Sequence, residues 1–279
     1  MERVAELLKE KGYKAEVRIV NKNGHEIRGL CFGQPDSNIM ATIYEDSIYF
    51  RDNDIEDIVQ NLIDEVVPTL PTNKVDILPF RNWESAKDKL RLCIMGYQPP
   101  KDAISIPFLN LYKYVRIFTN EFSEPNTSAT VVVVNDMVKN WGVTAETVFE
   151  TARINSEKEY KAQTIANALK CYVGDEITKM PESLDMIVLS NKSNIYGAAA
   201  MTSDIVTAAI GRLYGEKSYY ILPSSIHEVI AIPDSPNISI DDLGFMVKNV
   251  NDTEVAQRDI LSYSVYKYDI DTGSIKIVY

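Results

Sequence analysis

The densest run of reactive side chains is Ser224-Ser225-Ile226-His227-Glu228, which puts two hydroxyls, an imidazole and a carboxylate within five residues. Nucleophilic catalysis needs a hydroxyl and its base about 3 Å apart, with a further group to orient the base. On a regular strand Ser225 and His227 share a face but stand ~6.6 Å apart, at ~3.3 Å per residue. Glu228 would then point to the opposite face, where it cannot steer the imidazole. A tight turn after Pro223 relaxes that spacing and leaves an unfamiliar hydrolase using Ser225 and His227 as one reading. A plainer one has the hydroxyls satisfying backbone groups in a turn between two strands, while His227 packs on apolar neighbours. Between them lies a contact for a ligand or partner. Ser224, Ser225, His227 and Glu228 are therefore candidate contacts, and no residue is assigned a catalytic role.

Other motifs point away from familiar chemistries. A phosphate-cradling loop needs clustered glycines between a strand and a helix. The 12 glycines form no such cluster. Gly197-Ala-Ala-Ala-Met-Thr-Ser203 comes nearest, and its small residues suit close packing of a strand on a helix better than a phosphate near Ser203. Cys31, Cys93 and Cys171 are odd in number and widely spaced, which supports neither a disulfide framework nor a zinc site. His25 is the only other histidine and follows Asn23-Gly24, a hairpin-tip sequence, so no metal-binding histidine pair is expected. Asp269-Ile-Asp271-Thr-Gly273 lacks the glutamate of a calcium loop and reads as a hairpin turn. No cofactor and no metal are expected.

The elements that must position these residues follow from periodicity. Val4, Leu7 and Leu8 give a short helix ended by Gly12. Val17, Ile19 and Asn23-Gly24 predict a hairpin into Ile27 to Phe32, with more strand over residues 39–50. Ile55, Ile58, Val59, Leu62, Ile63 and Val66 form a helical stripe after Asp54, stopped at Pro68. Residues 82–95 are expected to be helical, with Trp83, Leu90 and Ile94 inside. Residues 108–118 and 130–134 are expected to be adjacent strands, the second covered on both faces. Thr144 caps a helix to about Ile154, and a second helical run covers residues 160–172. Beyond a polar segment the order is strand (186–189), helix (204–214), strand (219–223), strand (229–232), helix (240–250) and a closing hairpin. Ser239 and Asp242 resemble a capping box, ahead of a stripe of Leu243, Met246, Val247 and Val250. The class is α+β, in two mixed helix/strand subdomains with mainly antiparallel sheets. The expected domains are 1–174 and 186–279, joined by a linker at about 175–185.

The 279 residues carry a formal net charge of −11. Acidity is denser in the last third, where residues 180–279 hold 13 acidic against 7 basic side chains. Such a field repels phosphate backbones, so no direct nucleic-acid binding is expected. No apolar run approaches the ~20 residues that span a bilayer, and the charged start lacks a signal peptide's apolar core. No membrane association and a cytoplasmic location are expected.

The segments Ser190-Asn-Lys192, Tyr196-Gly-Ala-Ala-Ala200, Tyr220 to Val229 and Met246 to Val255, followed by Leu261 to Tyr268, resemble one bacterial family, domain of unknown function 5688. The likeness extends to Ile43-Tyr44 and to Asn140-Trp-Gly-Val-Thr-Ala-Glu146. The last is also similar to domain of unknown function 1444. The resemblance implies a bacterial cytosolic or mobile-element protein and assigns no residue a role. The leading expectation is a non-enzymatic binding protein with a protein partner, for which Tyr263, Tyr266, Tyr268 and Tyr279 offer contact area. The alternatives are an acidic mimic of nucleic acid that inhibits a DNA- or RNA-handling enzyme, and the Ser225/His227 hydrolase.

Overall fold

The computed structural model describes residues 1–22, 25–37, 40–51, 53–70, 80–119, 129–165 and 186–279. The chain divides into two compact units, residues 1–79 and 80–279.

In the first unit, α1 (Glu2–Glu10) buries Val4, Ala5 and Leu8. Strands β1 (Lys14–Lys22), β2 (His25–Gly33) and β3 (Ala41–Tyr44) pair in that order as an antiparallel sheet. The expected turn residues Asn23 and Gly24 lie outside the described residues. α2 (Ile55–Asn61) continues through a π-turn (Leu62–Val66) into a 3₁₀ turn at Pro68. Its inner face meets that of α1 over the sheet, where Leu8, Leu30, Phe32, Val59 and Leu62 form the core.

The second unit holds two sheets. In the smaller, β4 (Leu90–Met95), β6 (Leu111–Thr119) and β5 (Ser105–Phe108) pair in that order, and β7 (Ala129–Val132) also pairs with β6. α3 (Trp83–Ala86) precedes it, and α4 (Asn135–Trp141) and α5 (Ala145–Glu157) follow. Thr144 caps α5 by accepting the Thr147 N–H at 3.2 Å. The larger sheet is antiparallel and six-stranded, in the order β13 (Ser274–Ile277), β12 (Tyr266–Asp269), β10 (Tyr219–Ser225), β11 (Glu228–Pro233), β9 (Ile187–Asn191), β8 (Tyr160–Thr164). α6 (Asp204–Leu213) and α7 (Ile240–Thr253) are capped by Ser203 and Ser239, whose hydroxyls accept N–H groups of the first turn. The α+β class and the mainly antiparallel sheets stand.

Local expectations depart in five places, the first being the stretch 39–50, which among the described residues is strand only over Ala41–Tyr44 and turns into a 3₁₀ segment over Ile48–Phe50. Residues 82–95 are helical only over Trp83–Ala86 and then become β4, because the Leu90/Ile94 spacing that reads as a helix stripe equally serves a strand face. Residues 160–164 form β8, held by pairing with β9. β7 is not covered on both faces, since Val131 is 41 % exposed. On α7, Met246 and Val250 face outward, while Gly244 and Asn251 are buried beside Leu243 and Val247.

The expected linker at 175–185 lies outside the described residues. The strands that flank it, β8 and β9, pair in one sheet, and the division of the chain falls at 79/80. Both sheets contribute to one core, in which Ile94 and Leu111 meet Leu189, Tyr219, Ile221 and Val229.

Gly96, just after β4, approaches the backbone so closely that a Cβ would lie 2.1 Å from the Leu261 carbonyl oxygen. Backbone cannot rotate away as a side chain can. Gly96→Ala is expected to destabilise the full chain by about 1–3 kcal/mol, the usual cost of overpacking. Urea unfolding curves check this, and an unchanged midpoint would contradict the close approach.

Candidate functional site

Ile226 and His227 form the turn between β10 and β11. The register slips between Pro223 and Ser225, so that Ser225 pairs with Glu228. This turn gives each polar group a local task. Ser225 Oγ accepts the backbone N–H of His227 at 3.1 Å. Ser224 donates to Glu228 Oε1 at 3.4 Å. Ile226 is buried, and its N–H donates to the Asp259 carbonyl at 2.8 Å.

The imidazole is turned toward a different segment. Nδ1 of His227 accepts the backbone N–H of Tyr196 at 3.1 Å. A ring nitrogen that accepts a hydrogen bond is unprotonated, so the neutral ring carries its proton on Nε2. Nε2 faces Asp259 Oδ1 at 3.9 Å, with the two side chains 34 % and 23 % exposed. A neutral imidazole has one basic nitrogen, and here the Tyr196 amide occupies it. The ring would have to release that amide before acting as a base.

The loop after β9 is built to present that amide. Asn191 Oδ1 accepts the Ile195 N–H and the Ser193 hydroxyl, and its Nδ2 donates to the Ile195 carbonyl at 2.8 Å. Tyr196 adopts a left-handed conformation, φ 56°. Ser190 Oγ donates to the His227 carbonyl at 2.8 Å. Gly197 fills the remaining gap, where a Cβ would lie 2.4 Å from Ser190 Oγ and 2.8 Å from the His227 oxygen. The expectation of small residues for close packing applies to Gly197 to Met201, a buried 3₁₀ segment. Ser203 is buried and donates to Glu157 Oε1 at 3.4 Å, a carboxylate where a phosphate would have to sit.

Beneath Tyr196 lies a group with no local motif. The Arg116 guanidinium stacks 4.6 Å from the Tyr196 ring and donates to Thr130 Oγ1 at 2.8 Å. Burial pushes the Tyr114 and Tyr196 phenols upward and raises the Cys93 thiol to about 12.

Sequence reasoning did not single out the cleft of ≈ 660 Å³ on the smaller sheet. Leu92, Ile104 and Ile106 line it on the sheet side, and Ala145 and Phe149 on the α5 side. Lys113 projects into it from β6, with Nζ 4.6 Å from the centroid of the Phe108 ring. Arg153 also reaches the cleft, but its fork holds Glu150 at 2.6 and 2.9 Å and Glu157 at 2.7 Å. Lys113 makes no ion pair among the described residues. Burial lowers its pKa, and the charge of Asp204 acts in the opposite sense.

Among the described residues, no group of three or more His, Cys, Asp and Glu side chains is placed to hold a metal ion. Nor is any helix there long and apolar enough to cross a membrane. A family model described as a family of unknown function (DUF5688) matches residues 1–270. The chain belongs to that family. No curated protein and no solved structure matches it. The DUF5688 match covers the β10–β11 turn, the loop after β9 and the cleft, so all three lie within the family's own span.

Two outcomes check this geometry. His227→Phe leaves the Tyr196 amide without its acceptor and is expected to cost about 1–3 kcal/mol, whereas Ser225→Ala should cost about 1 kcal/mol. Equal shifts in urea midpoint would contradict the division of roles. Cys93, its thiol raised to about 12 by burial, stays protonated in the folded chain above the ordinary thiol value. Its contribution to stability is therefore present below that ordinary value and fades as pH climbs toward 12. At pH 8 native Cys93 should resist iodoacetamide and react once urea unfolds the chain, as read by peptide mass spectrometry.

Proposed function

We propose that the protein acts by binding rather than by hydrolysis, and that the cleft on the smaller sheet is where it takes a small ligand. One observation carries this reading. A concave site of ≈ 660 Å³ combines apolar walls with a single lysine that has no ion-pair partner among the described residues. Ligand sites are typically concave, mostly apolar and about 300–1,000 Å³ in volume, with a few polar groups to fix orientation. The Ser224 to Glu228 cluster supports the non-catalytic half of the proposal. Its serines bond within their own turn, and the basic nitrogen of His227 is committed to the Tyr196 amide.

The test uses Nile red, a neutral apolar dye, on the full chain. Ile106 is an exposed strand residue that pairs with Lys113 and so shares its face of the sheet, so Ile106→Trp fills the cleft without entering the core. Strands tolerate aromatic residues well. The substitution is expected to weaken dye binding at least about tenfold, a loss of ~1.4 kcal/mol, with no change in the urea midpoint. Dye binding indifferent to Ile106→Trp would defeat the cleft reading. Ester hydrolysis by the native chain that is lost in both Ser225→Ala and His227→Ala would defeat the non-catalytic one.

A further inference from the structure

Granting the cleft as the ligand site, we propose that its ligand is an amphipathic carboxylate, with an apolar body against Leu92, Ile104 and Phe149 and the anionic head on Lys113. The inference rests on counting the charges that meet in the cleft. Arg153 gives three of its five N–H donors to the two oxygens of Glu150 and to Glu157, so two carboxylates already offset its charge. Glu146 stands in the first turn of α5, where backbone and Thr144 hydrogen bonds hold it ionised. Negative charge is stabilised at that end of a helix.

Lys113 differs from these. Its stem is half-buried and its ammonium lies over Phe108, a contact that softens but does not neutralise the charge. The charge of Asp204 favours that ammonium without forming an ion pair with it, and an ammonium taken partly out of water without a paired anion is costly. A ligand carboxylate in the cleft would remove that cost and gain a charge-assisted hydrogen bond. A neutral ligand would leave the ammonium more deeply desolvated than before. A cationic one would add repulsion.

The walls set the other half of the ligand. Ile106 is 43 % exposed beside the half-buried ring of Phe149, so the cleft holds apolar surface that an alkyl or aromatic body would cover. A bare small anion would cover none of it, and an apolar molecule without a head would not answer Lys113.

The experiment displaces Nile red from the full chain with decanoate, 1-decanol or decylamine, in the native protein and in Lys113→Met, Lys113→Arg and Ile106→Trp. Methionine keeps the stem over Phe108 and removes the charge, while arginine keeps the charge. Urea midpoints establish that each variant is folded. Decanoate is expected to compete at least about tenfold better than the other two, the usual worth of a hydrogen bond to a charged group. Lys113→Met should abolish that advantage and Lys113→Arg should retain most of it. If Ile106→Trp weakens dye binding but decanoate holds no advantage, or keeps it in Lys113→Met, the head-group inference falls and the cleft stands. If dye binding ignores Ile106→Trp, the cleft reading and this inference fall together.

Discussion

The turn between β10 and β11 lies so close to the end of β9 that nothing larger than a hydrogen fits at residue 197. At that distance every polar group in the gap loses water and must find a protein partner. The Ser190 hydroxyl takes the His227 carbonyl, His227 Nδ1 takes the Tyr196 amide, and the Asp259 carbonyl takes the Ile226 amide. Those bonds join three segments remote in sequence and fix the left-handed Tyr196 that begins the buried 197–202 turn. The arrangement of β9, β10 and β11 thus depends on a histidine used as a hydrogen-bond acceptor. A side chain of another shape could fill that space, but few could also accept the amide.

The cleft lining balances Lys113 and Arg153 against Glu146 and Glu150, whereas the whole chain is acidic. A net charge of −11 disfavours the approach of anions at long range, yet that field fades over a Debye length of about 8 Å at physiological salt. Inside a partly desolvated cleft the nearest charge dominates, because Coulomb energy rises as water is excluded. The acidic surface then slows encounter while Lys113 governs the bound state. Polyanions such as nucleic acid meet the surface field over their whole length, whereas a single carboxylate meets it once. Global charge and a local cation can therefore select for small monoanions.

Much of the fold was legible where the determining contacts are local. Ser203, Ser239 and Thr144 bond to amides three residues on, so the helix starts they mark could be read directly. β10, β11 and the closing hairpin carried strand-like residues between turn signals, and they formed as expected. β4 and β8 were not legible. Leu90 and Ile94 fit both periods, and β8 is a strand because β9 lies beside it. The position of Ser225 and His227 across a turn was anticipated. The roles of Tyr196 and Asp259 were not, since neither bears any sequence relation to His227. The cleft draws on β4, β5, β6 and α5, and a lone lysine on a strand has no local signature.

The two polar sites of the second unit differ in what remains to be satisfied, and that difference separates structure from function. Around His227 donors and acceptors are matched within the protein, through a backbone amide, a backbone carbonyl and neighbouring hydroxyls. A ligand there would first have to break bonds that hold β9 to the β10–β11 turn, so binding would be opposed by the stability of the sheet. At Lys113 the opposite holds. Lys113 lines the cleft with its ammonium over the Phe108 ring, and a partner there would displace no hydrogen bond or ion pair found among the described residues. Binding energy at such a group is not consumed in remodelling the fold. A protein can keep an unpaired charge in a cleft when occupancy recovers the desolvation cost, and this asymmetry favours Lys113 over the histidine as the contact for the ligand we propose.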